Sequence, residues 1–362
     1  MRIGILVSDF LPKGKRILLK KGVTLGIGGT ELQSYNLAKR LGKKHNVTVF
    51  TRRYMGLPLE ERREGFAVKK FRTIKIPCIV FISHILSSLI LIRKNRPDIL
   101  QCMMLTPNGL VGVLAKKLFG VRFVPWVRGG DWYLTRGGFL GRRIISYVIR
   151  NSPIILVQTE KIMREILEEF PGKRIEVIPN GVDIKKDRSS GDKIVYIGNL
   201  SERKGVEYLI EAMKGVDAEL LVVGDGPKRL YLESIAGDNV RFVGRASHDE
   251  VGNYFKKAKI FVLPAKKGEG LPNVILEAMT FGIPVVSTNI AGISDVVEHG
   301  KTGFLVNPRD STGLRKYIKR LLDDDRLRRE MSSNCLIEVR KYSWESMIKR
   351  LEKVYGELIC AE

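Results

Sequence analysis

Short runs of consecutive apolar residues, each ending in a glycine-bearing loop and followed by an amphipathic stretch, recur along the chain. An unbroken apolar run bounded by turn residues predicts a strand covered on both faces, as in a parallel sheet. The pattern predicts such strands at Ile3–Val7, Asn46–Thr51, Phe66–Phe71, 97–102, Arg122–Val127, Pro153–Gln158 and Arg174–Ile178. A polar stretch, Lys185–Asp192, reads as a linker. The alternation then restarts, with strands at Lys193–Ile197, Glu219–Val223, Asn239–Val243, Ile260–Leu263, Val285–Thr288 and Gly303–Val306. Helices are expected from Thr30 to Leu41 and over Asn108–Phe119, Gly138–Arg150 and Glu160–Phe170. The tail Ser343–Leu358 keeps Trp344, Met347, Ile348, Leu351, Val354 and Leu358 at helical spacing. Strand, glycine loop and helix repeated in two blocks predict an α/β protein of two doubly wound domains.

The longest uncharged run, Ile76–Ile92, has 17 residues. As a helix it is about 25 Å long, short of a hydrocarbon core of about 30 Å. Ser83, His84, Ser87 and Ser88 fall on one helical face and apolar residues on the other. A mostly buried crossover helix fits this pattern best, and a helix lying on a membrane surface or a membrane span are the other readings.

Length and charge narrow the field. The 362 residues are enough for two domains, and 63 Lys+Arg against 39 Asp+Glu give a net charge of +24. That excess implies anionic partners, which include nucleotide phosphates, phospholipid headgroups and nucleic acid. No zinc-finger spacing, basic low-complexity tail or aromatic RNA-binding box accompanies it, which argues against nucleic acid. Cys78, Cys102, Cys335 and Cys360 have no metal-ligand spacing and read as free thiols of a reducing compartment. The first apolar run is too short for a secretory signal and reads as a strand. The expected location is cytoplasmic, peripheral at the inner face of the membrane if the basic first half binds lipid.

The chemistry centres on Gly268–Val286, where Glu269 and Glu277 are separated by seven residues. Pro272 suits the first turn of a helix, and Phe281-Gly282 supplies its stop. The loop backbone and the free N–H groups of that helix would form an anion site. A carboxylate on either side of a bound pyrophosphate would accept hydrogen bonds from paired hydroxyls of a sugar and a ribose. Asp323-Asp324-Asp325 falls between two late helices and reads as a surface turn, not a metal pair.

The run Glu269, Gly270, Glu277, Ala278, Met279, Gly282, Pro284, Val285 and Val286 closely resembles the signature of the retaining nucleotide-sugar glycosyltransferases of family 4, the glycosyl transferases group 1 domain. The resemblance is best over about 178–358 and looser before it. It implies the GT-B fold, with two Rossmann-like domains face to face: residues 1–180 binding the acceptor, 181–342 binding the donor, and a last helix, 343–362, crossing back to the first domain. It implies donor contacts at Gly28, Gly29, Asn199, Arg203, Lys204, Gly244, Arg245, Glu269, Gly270, Leu271, Pro272, Asn273, Val274 and Glu277. Arg203 and Lys204 are the basic pair at the diphosphate, Glu269 the acid at the sugar and Glu277 the acid at the ribose. A basic pair at a helix start opposes the helix dipole, which favours a functional role. Ile178-Pro179-Asn180-Gly181-Val182-Asp183 matches the family's junction sextet.

One position departs from the family pattern. Many members carry a histidine after the fifth strand, where this chain has Arg128 in Val127-Arg128-Gly129-Gly130-Asp131. Arg128 and Asp131 either orient a substrate or brace their loop. The resemblance implies front-face attack with retention, the departing phosphate acting as base; with no Asp-x-Asp pair at a strand end, no cofactor or metal ion is expected, Lys204 and the helix N-terminus doing the work of a divalent cation. The expected reaction is transfer of a hexosyl or N-acetylhexosaminyl unit from a UDP-sugar, in preference to a GDP-sugar, to a glycan or lipid-linked acceptor in polysaccharide assembly. A soluble transferase making a storage or osmolyte sugar and a non-catalytic nucleotide-sugar-binding protein are the alternatives.

Overall fold

The computed structural model describes residues 1–10, 17–18, 24–25, 29–54, 56–74, 76–133, 138–267, 270–290 and 292–360, with the side chains of 17, 18, 24, 25, 77, 78, 248 and 249 left aside. The chain divides into two compact units, Met1–Pro179 with Glu345–Glu362, and Asn180–Trp344.

The first unit contains β1 (Arg2–Leu6), β2 (Ile17–Leu18), β3 (Thr24–Leu25), α1 (Gly29–Leu41), β4 (Asn46–Arg52), β5 (Glu60–Arg63), β6 (Phe66–Phe71), α2 (Pro77–Asn95), β7 (Ile99–Met103), α3 (Leu110–Phe119), β8 (Arg122–Val127), α4 (Gly130–Tyr133), α5 (Phe139–Asn151), β9 (Ile155–Val157), α6 (Glu160–Glu169) and β10 (Ile175–Val177). Its sheet runs β10-β9-β8-β7-β1-β4-β6-β5. All neighbours are parallel except β5, which pairs antiparallel with β6. The buried strands β1, β7 and β8 read as the continuous apolar runs that a two-sided sheet requires. The chain leaves β1 toward β4 and β6, then resumes at β7 on β1's other side. The exits of β1 and β7 therefore flank the topological switch, where open α/β sheets bind ligands.

The short strands β2, β3 and β5 and the single-turn α4 were not foreseen, and one expected helix starts late. β5 is charged throughout, and charge on an edge strand blocks pairing with another sheet. The helix expected from Asn108 begins at Leu110, after a wide turn over Leu105–Gly109 entered through Met104 at φ 80°.

Helix α2 corrects the mostly buried reading. Its polar face is the inward one, with Ser83, His84 and Ser88 buried, while Ile79, Ile82, Leu86 and Ile90 are exposed. The inward hydroxyls find local partners, whereas the buried Nδ1 of His84 has no hydrogen-bond partner among the described residues. Ser88 Oγ donates to His84 O at 2.6 Å, and Ser83 Oγ accepts from Ile74 N at 3.0 Å. His84 Nε2 lies 3.0 Å from Asn108 Oδ1, and its ring meets Phe71 edge-on.

Burial pushes His84 down to about 4; the Asn108 hydrogen bond and Asp9 oppose this, and Arg52 adds to it. A histidine held neutral in the fold stabilises it fully above the unfolded value of 6.5, and that stability is lost as pH falls from there toward 4. The full loss is roughly 3 kcal/mol. Denaturation of wild type and His84→Gln between pH 7 and pH 4 measures it. The wild type is expected to lose more stability than the variant, and parallel pH curves would refute the assignment.

The second unit contains β11 (Lys193–Ile197), α7 (Val206–Met213), β12 (Leu220–Val223), α8 (Arg229–Ser234), β13 (Val240–Gly244), α9 (His248–Lys256), β14 (Ala258–Leu263), α10 (Asn273–Thr280), β15 (Val285–Thr288), β16 (Gly303–Val306), α11 (Ser311–Asp323) and α12 (Asp325–Glu338). Its sheet, β13-β12-β11-β14-β15-β16, is parallel throughout. Its switch lies between the exits of β11 and β14. Asp324 turns the chain from α11 into α12 and caps the latter by accepting from Leu327 N at 2.9 Å. Ser247, with Glu250, caps α9.

The last helix, α13 (Trp344–Cys360), packs on the first unit. Tyr355 Oη donates to Gln101 Oε1 at 2.8 Å inside the core, and Glu352 lies 2.9 Å from His45 Nε2. Among the described residues no helix is long and apolar enough to cross a membrane.

Candidate active site

The site in the second unit is built on the two loops at its switch. After β11, Gly198-Asn199-Leu200-Ser201 leads into a single 3-10 turn, Glu202–Lys204, that carries Arg203 and Lys204. Gly205 ends the turn at φ 63°, where a Cβ would lie 2.3 Å from Pro264 O. Lys266 N donates to Arg203 O at 2.9 Å, so the basic turn is stapled to the loop leaving β14.

Beneath the turn is a charge network that the sequence did not announce. Lys266 Nζ bonds Glu202 and lies 3.1 Å from Glu207, and Lys228 Nζ lies 2.7 Å from Glu202. The two lysines, Lys228 first, hold the Glu202 carboxyl down to about 2. Helix α7 thus begins on Val206 with its acid, Glu207, turned to Lys266.

Neighbouring loops are in backbone contact. A Cβ on Gly224, at φ 149°, would fall 1.8 Å from Gly198 O, and Gly224 N donates to Gly244 O at 2.7 Å. Gly244 is buried at the end of β13, and Arg245 beside it is exposed.

The signature helix α10 begins at Asn273 after Pro272, with no side-chain cap and no acid in its first turn. A helix start without a side-chain cap suits an anion, which its dipole and first-turn backbone favour. The residue that fixes this helix start is Asn180, only 3% exposed. Its Nδ2 donates to Leu271 O at 2.9 Å and to Asn273 Oδ1 at 2.6 Å. Gly270 is covered by Gly292, so closely that a Cβ on Gly292 would lie 1.6 Å from Gly270 O. Glu277 stands one turn into the helix, half-buried. Leu271 and Pro272 are buried and Val274 is half-buried. The structure thus gathers Asn199, Arg203, Lys204, Gly244, Arg245, Gly270, Leu271, Pro272, Asn273, Val274 and Glu277 on the loops and helix start that follow the parallel strands of one sheet. Glu269, like Gly28, lies outside the described residues.

The sequence reading missed Asn180 as a brace, and Lys228, Lys266 and Gly292 altogether. Lys266 stands three residues before Glu269, but its partners are distant in sequence.

In the first unit, Gly29 opens α1 and Arg128 and Asp131 follow β8. The Asp131 carboxylate is fully buried and engaged by backbone. Oδ1 accepts from Arg128 N at 2.9 Å and Trp132 N at 3.2 Å, and Oδ2 from Leu105 N at 2.7 Å. Burial pushes its pKa up against the bonds from Leu105 N and Arg128 N and the Arg128 charge. Asp131 braces its loop. The Arg128 guanidinium lies over Trp126, 4.9 Å from the ring, and burial brings it down to about 10. At the switch itself Asn108 Nδ2 donates to Met103 O at 2.7 Å and Ser8 Oγ at 3.3 Å.

Among the described residues no group of three His, Cys, Asp or Glu side chains is placed to hold a metal ion.

Comparison with known proteins agrees with this geometry. The model of the family "Glycosyl transferases group 1" matches residues 182–335, and that of "Glycosyltransferase Family 4" matches 27–186. N-acetyl-alpha-D-glucosaminyl L-malate synthase of Bacillus anthracis is 26% identical over 382 residues, 94% of this chain and 97% of the relative. Sucrose-phosphate synthase from Thermosynechococcus elongatus superposes with a TM-score of 0.84 at 21% identity, each chain covered completely. Anabaena HepE, solved in complex with UDP, superposes with a TM-score of 0.79 at 18% identity, with 99% of this chain and 100% of that chain covered. The chain belongs to the group 1, family 4 glycosyltransferases and has the GT-B fold.

Proposed function

We propose that the chain is a retaining glycosyltransferase that moves a hexosyl or N-acetylhexosaminyl unit from a UDP-sugar to a glycan or lipid-linked acceptor at the inner face of a membrane. The observation that carries the donor site is the uncapped start of α10, fixed by Asn180, with Glu277 one turn further in. There the diphosphate meets helix N–H groups, Glu277 accepts from the ribose hydroxyls, and Glu269 holds the sugar. Lys204 and Arg203 meet charge on the leaving diphosphate. The acceptor oxygen attacks C1 on the face that the phosphate leaves. The C1–phosphate oxygen bond breaks, and the acceptor proton passes to the departing phosphate, so configuration is retained. No metal ion is needed. The preference for uridine finds support in the bound UDP of the Anabaena neighbour.

A thermal-shift panel of UDP, GDP and ADP in EDTA tests this reading. UDP at about 100 times its Kd is expected to stabilise by about 2.7 kcal/mol. Stabilisation only with added Mg²⁺ or Mn²⁺ would overturn metal independence, and a GDP response alone the choice of base.

The membrane part rests on one helix layer. α3 packs between α2 and α5, and none of the three helices contains an acid. Ile79, Ile82, Leu86 and Ile90 of α2, Leu118 of α3, and Phe139 and Leu140 of α5 are exposed. Arg93, Lys94, Lys116, Lys117, Arg142 and Arg143 are exposed among them. Arg142 lies 3.5 Å from Glu169 of α6, and the remaining cations with the apolar groups fit an anionic bilayer, where each basic residue contributes about 1 kcal/mol at low salt. The protein is expected to float with anionic vesicles, and Ile82→Glu with Leu86→Glu to stay behind. Equal flotation of wild type and double variant would exclude this face.

A further inference from the structure

Arg128 stands at the exit of β8, on the ligand edge of the first sheet, in a state unusual for a guanidinium. It is 8% exposed, and among the described residues neither Nε nor Nη1 has a hydrogen-bond partner. Two carboxylates bear on it electrostatically, Asp131 and Glu31, and neither occupies those nitrogens. Asp131 is engaged instead by three backbone N–H groups. Trp126 covers one side of the guanidinium. A buried cation with unused donors is costly unless a counter-charge meets it. A bracing role would direct those donors at the loop, but the loop is already held by Asp131.

We infer that Arg128 receives an oxyanion, a carboxylate or phosphate carried by the acceptor. The inference rests on the glycosyltransferase reading and adds the charge of one of its substrates. Guanidinium donors match the geometry of carboxylate and phosphate oxygens and stay charged at neutral pH. The surroundings exclude water from much of the group, which strengthens such a contact. A neutral sugar would leave the charge unmet, so the position selects against it.

The test compares charged and neutral ligands of the same shape. On the acceptor side, glycerol 3-phosphate, malate and glucuronate are set against glycerol and glucose, with UDP present. Binding to wild type, Arg128→Lys and Arg128→Gln is measured by calorimetry. One charged ligand is expected to bind wild type better than its neutral counterpart. Arg128→Gln is expected to lose that advantage, about 10- to 100-fold in affinity for a charge-assisted contact, and Arg128→Lys to keep part of it. The ligand that responds identifies the anion as carboxylate or phosphate. If wild type prefers no charged ligand, the inference fails whether or not the variants fold, and so it does if Arg128→Gln retains the preference. Binding of UDP itself is the separate control. Its loss in wild type would instead strike the glycosyltransferase reading.

Discussion

Lys204→Ala is expected to lower kcat by about 10²–10³-fold, the range for loss of one preorganised charge donor. The negative charge on the leaving diphosphate grows as the glycosidic bond breaks, so a cation placed there stabilises the transition state more than the bound donor. The staple from Lys266 N to Arg203 O and the network of Lys266, Lys228, Glu202 and Glu207 hold the turn in place before substrate arrives. Glu277→Ala is expected to behave differently. A ribose contact acts on ground and transition states alike, so donor KM rises and kcat changes little. Donor titrations of the two variants, with UDP affinity from calorimetry, separate the roles. An unchanged kcat in Lys204→Ala would remove the lysine from the chemistry.

Gly292→Ala is expected to weaken UDP binding by about 10²-fold, through displacement of the Gly270–Leu271 backbone and with every side chain of the nucleotide site unchanged. At φ 81° the backbone disfavours any side chain, and the new Cβ would sit 1.6 Å from Gly270 O. The loop before α10 must then move by more than an ångström. Misplacement of that size in a preorganised site costs about 10²-fold, and the strain adds about 1–3 kcal/mol of instability. Calorimetry with UDP, paired with a melting curve, distinguishes local damage from unfolding. Wild-type affinity in a folded Gly292→Ala protein would show that the loop is not held there.

The parallel core was legible because β1, β7, β8, β11 and β14 are apolar along their length, and only a sheet covered on both faces requires that. β5 was not, since Glu60-Glu61-Arg62-Arg63 has no apolar face. Pairing with β6 and the ion pair of Glu61 with Lys70 hold it. For α2 the two faces were legible but not which one turns inward. The inward choice depends on Asn108 and Phe71, partners supplied by other elements. The signature loop was the clearest feature of the chain, because glycine, proline and paired acids at fixed spacing carry local meaning. Its supports were hidden for the opposite reason. Asn180 lies 91 residues from Leu271, and Lys266 lies 64 from Glu202. A single sequence offers no signal for such pairs.

The hydroxyl of Tyr355 in the core of the first unit sets an order of events on the ribosome. Residues 180–344 form a unit continuous in sequence, so that unit can close as soon as its own strands have emerged. The first unit is synthesised earlier but lacks the helix that caps Gln101 until the tail appears. The half made first is therefore finished last, and a nascent chain stalled short of α13 would present one closed unit and one whose core is still open.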